Sequence, residues 1–189
     1  RPPAELDALA LAEALGDTTA FDLTGAHVAI VGDLANSRVA RSDVYALTSL
    51  GARVTLVGPR GLAPASLEAL APGVRIAHDL DAILSDDRPT AIQTLRVQFE
   101  RSAGVGSSIA YREAFGLTLD RARRLPAGTI VMHPGPANPG LEIDQAVLDG
   151  EVDGTVDHLR CLVRRQVTAG VAVRMAVLEQ LLIHPQAGA

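Results

Sequence analysis

A chain of 189 residues that is 48% hydrophobic is long and apolar enough to bury a core, so disorder is not expected. Its net charge of -5 argues against a nucleic-acid partner, because no basic stripe is available to neutralise phosphates. All 17 basic residues are arginine, which excludes lysine chemistry such as a Schiff base or a phosphate-binding P-loop.

The sequence gives no sign of a membrane segment or of a bound cofactor. No stretch approaches the roughly 20 apolar residues that cross a bilayer, and no signal peptide is recognised, so we expect a soluble, cytoplasmic protein without a membrane partner. Cys161, the single cysteine, has mostly apolar neighbours and is interpreted as a buried structural thiol rather than a nucleophile. The five histidines lack metal-ligand spacing.

The first half of the chain alternates helical and strand-like segments. Residues 4–16 have helical character and end at a glycine, and residues 27–31 form a run rich in β-branched residues that predicts a strand. A helix over residues 37–50 and a strand over 53–57 follow. The pattern then predicts a helical segment, a strand, a short helix and a strand over residues 64–70, 74–77, 79–85 and 91–97.

The second half continues the alternation less regularly. Residues 108–115 form a helix or an ordered loop, residues 127–132 a buried strand and residues 141–149 a helix. A long apolar segment over residues 157–183 is expected to be helical after Gly170. Strands that alternate with helices predict parallel βαβ units, so the fold class is α/β, a doubly wound and mainly parallel sheet with helices on both faces.

Polar residues follow three of the predicted strands, where ligands bind in sheets of this class. Gly32 and Asp33 with Arg38 follow the first strand, Arg96 and Gln98 end the fourth, and residues 133–136 follow the last. A guanidinium and a carboxamide two residues apart on an extended segment point the same way and form a clamp for a carboxylate. These positions together predict a site for a small anionic substrate.

Each of these features also has a structural interpretation. Arg96 could serve in an ion pair, Arg38 could be a surface arginine, His133 could be a packed histidine and residues 134–136 could form a rigid turn. The segment after the first strand lacks the spaced glycines of a dinucleotide-binding turn, so a nicotinamide cofactor is disfavoured.

Four segments resemble, in order and spacing, motifs of the aspartate/ornithine carbamoyltransferase family, and of aspartate carbamoyltransferase in particular. They are Gly32-Asp33-x-x-x-Ser37-Arg38-Val39-Ala40-Arg41-Ser42, Leu95-Arg96-Val97-Gln98-x-Glu100-Arg101, His133-Pro134-Gly135-Pro136 and Gly170-Val171-Ala172-Val173-Arg174-Met175-Ala176-Val177-Leu178. The resemblance covers nearly the whole chain, but only the C-terminal, aspartate-binding half of the family. The His-Cys-Leu-Pro turn usual in ornithine carbamoyltransferase is absent.

The resemblance implies a transferase of pyrimidine biosynthesis that joins carbamoyl phosphate and L-aspartate into N-carbamoyl-L-aspartate and phosphate, without metal or cofactor. It implies that Arg38, Arg96 and Gln98 hold aspartate and that the backbone at Gly135 and Pro136 lies against the reacting groups. Residues 1–16 would be a linking helix, 17–168 the aspartate-binding domain and 169–189 a helix that packs on an absent carbamoyl-phosphate domain. Glu100 and Arg101 would belong to a loop that closes on aspartate.

Some positions depart from the family pattern. Arg1-Pro2-Pro3-Ala4 stands where the family has His-Pro-Thr-Gln, and Asn36, Pro139 and Ala169 each replace a usual family residue. The phosphate-gripping Ser-Thr-Arg-Thr loop belongs to the family's N-terminal half, and the lysine that a neighbouring subunit supplies cannot come from this chain. We therefore expect either an aspartate-binding half that needs an N-terminal domain or other subunits, or a degenerate homologue that binds a metabolite or assembles without catalysis.

Overall fold

The computed structural model describes residues 2–16, 22–98, 107–150, 156–166, 168, 175 and 179. The strands within these ranges form one six-stranded sheet in which every neighbouring pair is parallel. They are β1 (His27–Val31), β2 (Arg53–Val57), β3 (Arg75–Ala77), β4 (Ala91–Thr94), β5 (Ile130–Met132) and β6 (Arg160–Cys161). Their order across the sheet is β3-β2-β1-β4-β5-β6, which confirms the predicted doubly wound α/β fold.

Six helices whose bounds lie within the described ranges accompany the sheet, and side-chain caps fix the start of several of them. The helices are α1 (Pro2–Leu15), α2 (Arg38–Ser49), α3 (Leu80–Ala82), α4 (Ser108–Phe115), α5 (Leu119–Arg124) and α6 (Gln145–Leu148). A π-helical turn, Ile83–Asp87, continues α3, and a 3-10 turn spans Ala65–Leu70. Ser37, Asp79, Ser107 and Thr118 each accept a hydrogen bond from the backbone N–H three residues on, which satisfies a donor that the helix itself leaves free. No helix in the described part of the chain is long and apolar enough to cross a membrane.

The sheet separates two hydrophobic cores because successive strand residues point to opposite faces. On β1, Val28 and Ile30 pack into the core that α1 and α2 cover. Ala29 and Val31 pack into the opposite core, to which α4, α5 and α6 contribute. All five residues of β1 are buried, as a parallel strand with both faces covered requires.

Some boundaries and elements differ from the sequence-based prediction. The fourth strand ends at Thr94 rather than at residue 97, and the predicted helix over 141–149 is the shorter α6. The helix α5 was not predicted, and neither was β6, whose two residues are too few to show a periodic pattern. Of the segment expected to be helical after Gly170, the structure describes Met175 and Glu179, and both are helical.

A buried polar cluster lies between α1, α2 and the sheet. The side-chain amide of Gln93 in β4 donates to Asp43 of α2 over 2.5 Å, and both side chains are fully buried. Burial, where a carboxylate is poorly solvated, together with the smaller effect of the nearby Asp7 charge, raises the pKa of Asp43 to about 8. Burial likewise raises the pKa of Asp7 to about 6, although the hydrogen bond from Gln166 opposes the shift.

These raised pKa values predict that the protein loses stability as the pH rises. A carboxyl whose pKa is higher in the folded than in the unfolded state contributes stability at low pH and loses it as the pH rises. The contribution is fully present below the unfolded pKa of 3.8. It is lost as the pH rises through about 6 for Asp7 and about 8 for Asp43. We expect Asp43→Asn to flatten this decline and to exceed the wild type in stability at pH 8, by on the order of a few kcal/mol. Urea unfolding at pH 5 and pH 8 measures both quantities.

The matched control for this experiment is Asp120→Asn, because the Asp120 side chain is 91% exposed on α5. This variant should keep the pH dependence of the wild type. If the stability of Asp43→Asn still declined as steeply with rising pH as that of the wild type, Asp43 would not be the cause of the pH dependence.

Gly32 permits a close approach between the ends of β1 and β4. Its φ is +140°, a backbone conformation that residues with a side chain rarely adopt. A Cβ at this position would lie 2.8 Å from the carbonyl oxygen of Leu95. The amide of Leu95 in turn donates to the carbonyl of Val31 over 2.8 Å, so the two strand ends are held side by side.

We therefore expect Gly32→Ala to lower the free energy of unfolding by about 2 kcal/mol or more, through backbone strain and the clash with Leu95. Gly61→Ala is the control, because Gly61 has open space around its Cβ position and no positive φ. Chemical denaturation of both variants tests the expectation. Equal stability of the two would show that the approach of the strand ends tolerates a side chain.

Candidate functional site

A cleft of about 250 Å³ opens beyond the carboxyl ends of β1, β4 and β5. Three loops form its walls, one after each of these strands. The lining residues are Asp33, Asn36, Ser37 and Val39 after β1, Leu95, Arg96 and Gln98 after β4, and Pro134, Gly135 and Pro136 after β5. The cleft lies where ligands bind in sheets of this class.

The wall after β1 is shaped by its own hydrogen bonds. The buried carboxylate of Asp33 accepts from the backbone amide of Asn36 over 3.2 Å and from its side-chain amide over 2.9 Å. Ser37 then caps α2 by accepting from the Ala40 amide over 3.0 Å. Arg41 reaches back from α2 and donates to the carbonyl of Ala35 over 2.8 Å. This wall therefore holds the start of α2 at the cleft.

The wall after β4 carries the predicted clamp. Leu95 and Val97 are buried, whereas Arg96 is exposed and Gln98 is half-buried, and both of the polar residues line the cleft. No carboxylate of the described residues pairs with Arg96, so the interpretation as a structural ion pair receives no support within those ranges. The guanidinium is available to an anion that enters the cleft.

The wall after β5 is a turn that a buried histidine supports. His133 has no solvent exposure, and its Nδ1 accepts from the backbone amide of Gly135 over 2.9 Å. Gly135 has a positive φ of 73°, and the bond between Gly135 and Pro136 is cis. The packed-histidine interpretation of His133 is confirmed, and His133 does not line the cleft.

The charges and donors of the cleft suit binding and orientation of an anion. Among the described residues that line the cleft, Asp33 and Arg96 are the charged ones, and the carboxylate of Asp33 is engaged by Asn36. The N-terminus of α2 adds the partial positive charge of its free N–H groups. The part of the lining that the structure describes contains no cysteine, histidine or lysine, so we expect these walls to orient a reactant rather than supply a nucleophile.

The structure brings together four of the predicted site residues, namely Arg96, Gln98, Gly135 and Pro136. Arg38, the first residue of α2, is exposed and is not among the residues that line the cleft. Glu100 and Arg101 lie outside the described residues.

Several residues at or behind the site were not identified as site residues from the sequence. Asn36, Ser37 and Pro134 line the cleft, and Ser37 carried a usable signal because a serine commonly precedes a helix. Glu142 and Gln166 bond to His133 from behind, over 3.3 Å and 2.9 Å, and their sequence neighbourhoods gave no such signal. Cys161 is buried, as predicted.

A second and larger groove, of about 410 Å³, runs between α1 and the C-terminal segment. It is lined by Leu6, Leu9, Ala10, Glu13, Leu162, Arg164, Arg165 and Thr168. Much of this lining is aliphatic, and the groove is formed by helix faces rather than strand ends. We therefore assign the candidate site to the smaller cleft, where polar groups from three loops converge.

The comparisons with known proteins agree with the geometry. The profile of the family described as Aspartate/ornithine carbamoyltransferase, Asp/Orn binding domain, matches residues 24–181. The aspartate carbamoyltransferase catalytic subunit of Novosphingobium aromaticivorans is 44% identical over 93% of this chain and 49% of its own length. The catalytic subunit of Kineococcus radiotolerans is 49% identical over 86% of this chain and 50% of its own length.

Solved structures show the same fold. The catalytic subunit of M. jannaschii aspartate transcarbamoylase is 25% identical, with a TM-score of 0.71 over 98% of this chain and 56% of its own. Aspartate transcarbamoylase from Trypanosoma cruzi, in complex with carbamoyl phosphate and aspartate, is also 25% identical, with a TM-score of 0.68 over 93% of this chain and 53% of its own.

The chain spans about half the length of the curated relatives that it matches. Residues 24–181, which the family profile matches, include the six strands of the sheet and the described residues that line the cleft. Family profile, sequence identity and fold agree, and the chain belongs to the aspartate/ornithine carbamoyltransferase family, of which it carries the Asp/Orn binding domain.

Proposed function

We propose that this chain is the aspartate-binding half of an aspartate carbamoyltransferase, which acts in the cytoplasm in pyrimidine biosynthesis. The observation that carries the proposal is the convergence of Arg96, Gln98 and Gly135 on one cleft at the strand ends. The names of the curated relatives support the reaction, and one structural neighbour was solved with carbamoyl phosphate and aspartate bound.

In this proposal Arg96 and Gln98 hold the carboxylates of L-aspartate. A guanidinium offers two parallel donors to a carboxylate, and the neighbouring carboxamide fixes the orientation of the ligand. Arg38, at the exposed start of α2, adds a second cation when the ligand is bound. Glu100 and Arg101 belong to the segment that closes over the ligand.

The reaction that we propose joins two substrates without a covalent enzyme intermediate. The amine of aspartate attacks the carbonyl carbon of carbamoyl phosphate and a tetrahedral oxyanion forms. Phosphate then leaves with the electrons of the broken C–O bond and takes up the proton that the amine loses. The backbone at Gly135 and Pro136 lies against the reacting amine and carbamoyl group. Catalysis then consists of positioning and of electrostatic stabilisation of the oxyanion.

The phosphate half of the active site must come from another domain or subunit. Neither a phosphate-binding loop nor a lysine is supplied by this chain. We propose that α1 links to an N-terminal carbamoyl-phosphate domain and that the helix of residues 169–189 packs on that domain. The chain alone is expected to bind aspartate without forming carbamoyl-aspartate.

Calorimetric titration of the chain with L-aspartate and with N-(phosphonacetyl)-L-aspartic acid tests the proposed clamp. We expect Arg96→Ala to weaken binding by roughly 10-fold to 100-fold, because a hydrogen bond to a charged group contributes about 1.5 to 3 kcal/mol. Arg123→Ala is the matched control, since the exposed Arg123 lies on α5 with a single 4.0 Å contact to Asp120. Equal affinities of the two variants would contradict the role of Arg96.

The alternative function is that of a degenerate, non-catalytic homologue, and the sequence departures at residues 1–4 and at Pro139 favour it. The same titration distinguishes this alternative from the aspartate-binding half of an enzyme. If the chain binds the ligands, adding a separately expressed N-terminal half of a relative should restore carbamoyl-aspartate formation. Ligand binding without any restored activity would support a metabolite-binding role. Absence of binding even with the added half would overturn the proposed function.

A further inference from the structure

The turn that carries Gly135 and Pro136 is held from behind by two buried side chains. His133 Nδ1 accepts from the Gly135 amide over 2.9 Å, and Glu142 Oε1 accepts from the Asn138 amide over 2.5 Å. The two side chains also contact each other, with 3.3 Å between His133 Nε2 and Glu142 Oε1. His133 is 0% exposed and Glu142 is 1% exposed, so water does not compete for these bonds.

The hydrogen-bond pattern fixes the tautomer of His133. A backbone amide can only donate, so Nδ1 must carry a lone pair toward Gly135. The ring proton then resides on Nε2 and is donated to Glu142. With the ring in this orientation, the N–H of Gly135 is engaged by His133. The direction of the peptide planes in the turn is therefore set by a residue that does not line the cleft.

A second set of hydrogen bonds links His133 to α1. The backbone amide of His133 donates to Oε1 of Gln166 over 2.9 Å, and Nε2 of Gln166 donates to Oδ1 of Asp7 over 2.7 Å. Asp7 and Gln166 are 3% and 6% exposed and lie 159 residues apart in the sequence. One chain of hydrogen bonds thus runs from α1 through the core to the turn at the cleft.

This network consists of buried polar side chains, although apolar side chains would stabilise the same region at a lower desolvation cost. Apolar side chains of similar size would avoid the cost of desolvating two carboxylates. Oδ2 of Asp7 and Oε2 of Glu142 find no hydrogen-bond partner among the described residues, so part of that cost is not recovered. The four polar side chains fix the direction of backbone N–H groups by hydrogen bonding, which apolar side chains cannot do.

We propose that His133 and Glu142 are positioning residues that orient the Gly135–Pro136 backbone for the ligand, and that Gln166 and Asp7 tie this backbone to α1. The role toward a ligand rests on the proposed function. The orientation of the turn itself does not, and it can be measured without any ligand.

The experiment compares two substitutions of the same histidine in the full chain. His133→Leu keeps a similar volume but removes the acceptor for Gly135, whereas His133→Asn places an amide oxygen close to the position of Nδ1. The matched control is His27→Leu, because His27 is also buried but begins β1 at the opposite end of the sheet, where it bonds to Thr55 and Arg53. Hydrogen exchange of the Gly135 amide and calorimetric affinity for N-(phosphonacetyl)-L-aspartic acid are measured for each.

We expect His133→Leu to speed exchange of the Gly135 amide by at least tenfold and to weaken the ligand by at least tenfold. His133→Asn should recover most of both losses. His27→Leu should lower stability in urea while it leaves Gly135 exchange and ligand affinity unchanged. Equal exchange and affinity in His133→Leu and the wild type, or the same affinity loss in His27→Leu, would overturn the proposal.

Two further variants keep the test decisive if His133→Leu does not fold. Glu142→Leu keeps a similar volume and removes the oxygen that accepts from His133 and Asn138. Gln166→Leu removes only the hydrogen bonds that link His133 to α1. We expect a several-fold loss of affinity and faster Gly135 exchange in both, and unchanged values in both would overturn the proposal. If the wild type binds no ligand even with the added N-terminal half, the proposed function fails, whereas Gly135 exchange still decides whether the network orients the turn.

Discussion

The parallel pairing of β1 with β2 on one side and β4 on the other is the constraint on which the rest of the structure depends. From β1 the chain winds toward β3 in one direction, and from β4 it winds toward β6 in the other. At such a reversal the loops after the two central strands leave on opposite faces and open a crevice. The cleft with Arg96 and Gln98 lies at this reversal, and Gly32 allows its two strand ends to approach each other.

The two faces of the sheet are stabilised in different ways. The face under α4 and α5 contains the tilted aromatic pair of Tyr111 and Phe115, with ring centroids 5.7 Å apart. Beside it, the buried Arg121 donates to Asp81 and to the carbonyls that end α4, and its hydrogen bond lowers the pKa of Asp81. The face under α1 and α2 instead contains buried carboxyl and carboxamide groups, whose cost is partly offset by their mutual hydrogen bonds.

The buried polar groups under α1 and α2 are connected to the cleft through its wall after β5. His133 is shared between them, because its ring supports the turn at Gly135 and its backbone belongs to the network that reaches α1. A binding wall that is anchored in the core loses less conformational entropy when a ligand arrives. The same anchoring makes the wall sensitive to the placement of α1, the helix that we expect to join this half to a further domain.

The local features of the sequence determined the fold class and much of the site. Runs of β-branched residues predicted the first and last residues of β1 and β2 correctly, and a serine before an amphipathic segment marks the start of α2. Arg96 and Gln98 lie two residues apart, so any extended backbone brings them to the same cleft wall. These results follow from interactions between neighbours in the chain, which a sequence displays directly.

Contacts between distant residues decided what the sequence left open. The two-residue β6 exists because it pairs with β5, and Arg38, at the start of α2, is not among the described residues that line the cleft. The bond between Asp7 and Gln166 spans 159 residues, and no local pattern marks either partner. Such interactions depend on the packing of helices against a completed sheet, so their geometry is fixed only when the tertiary structure forms.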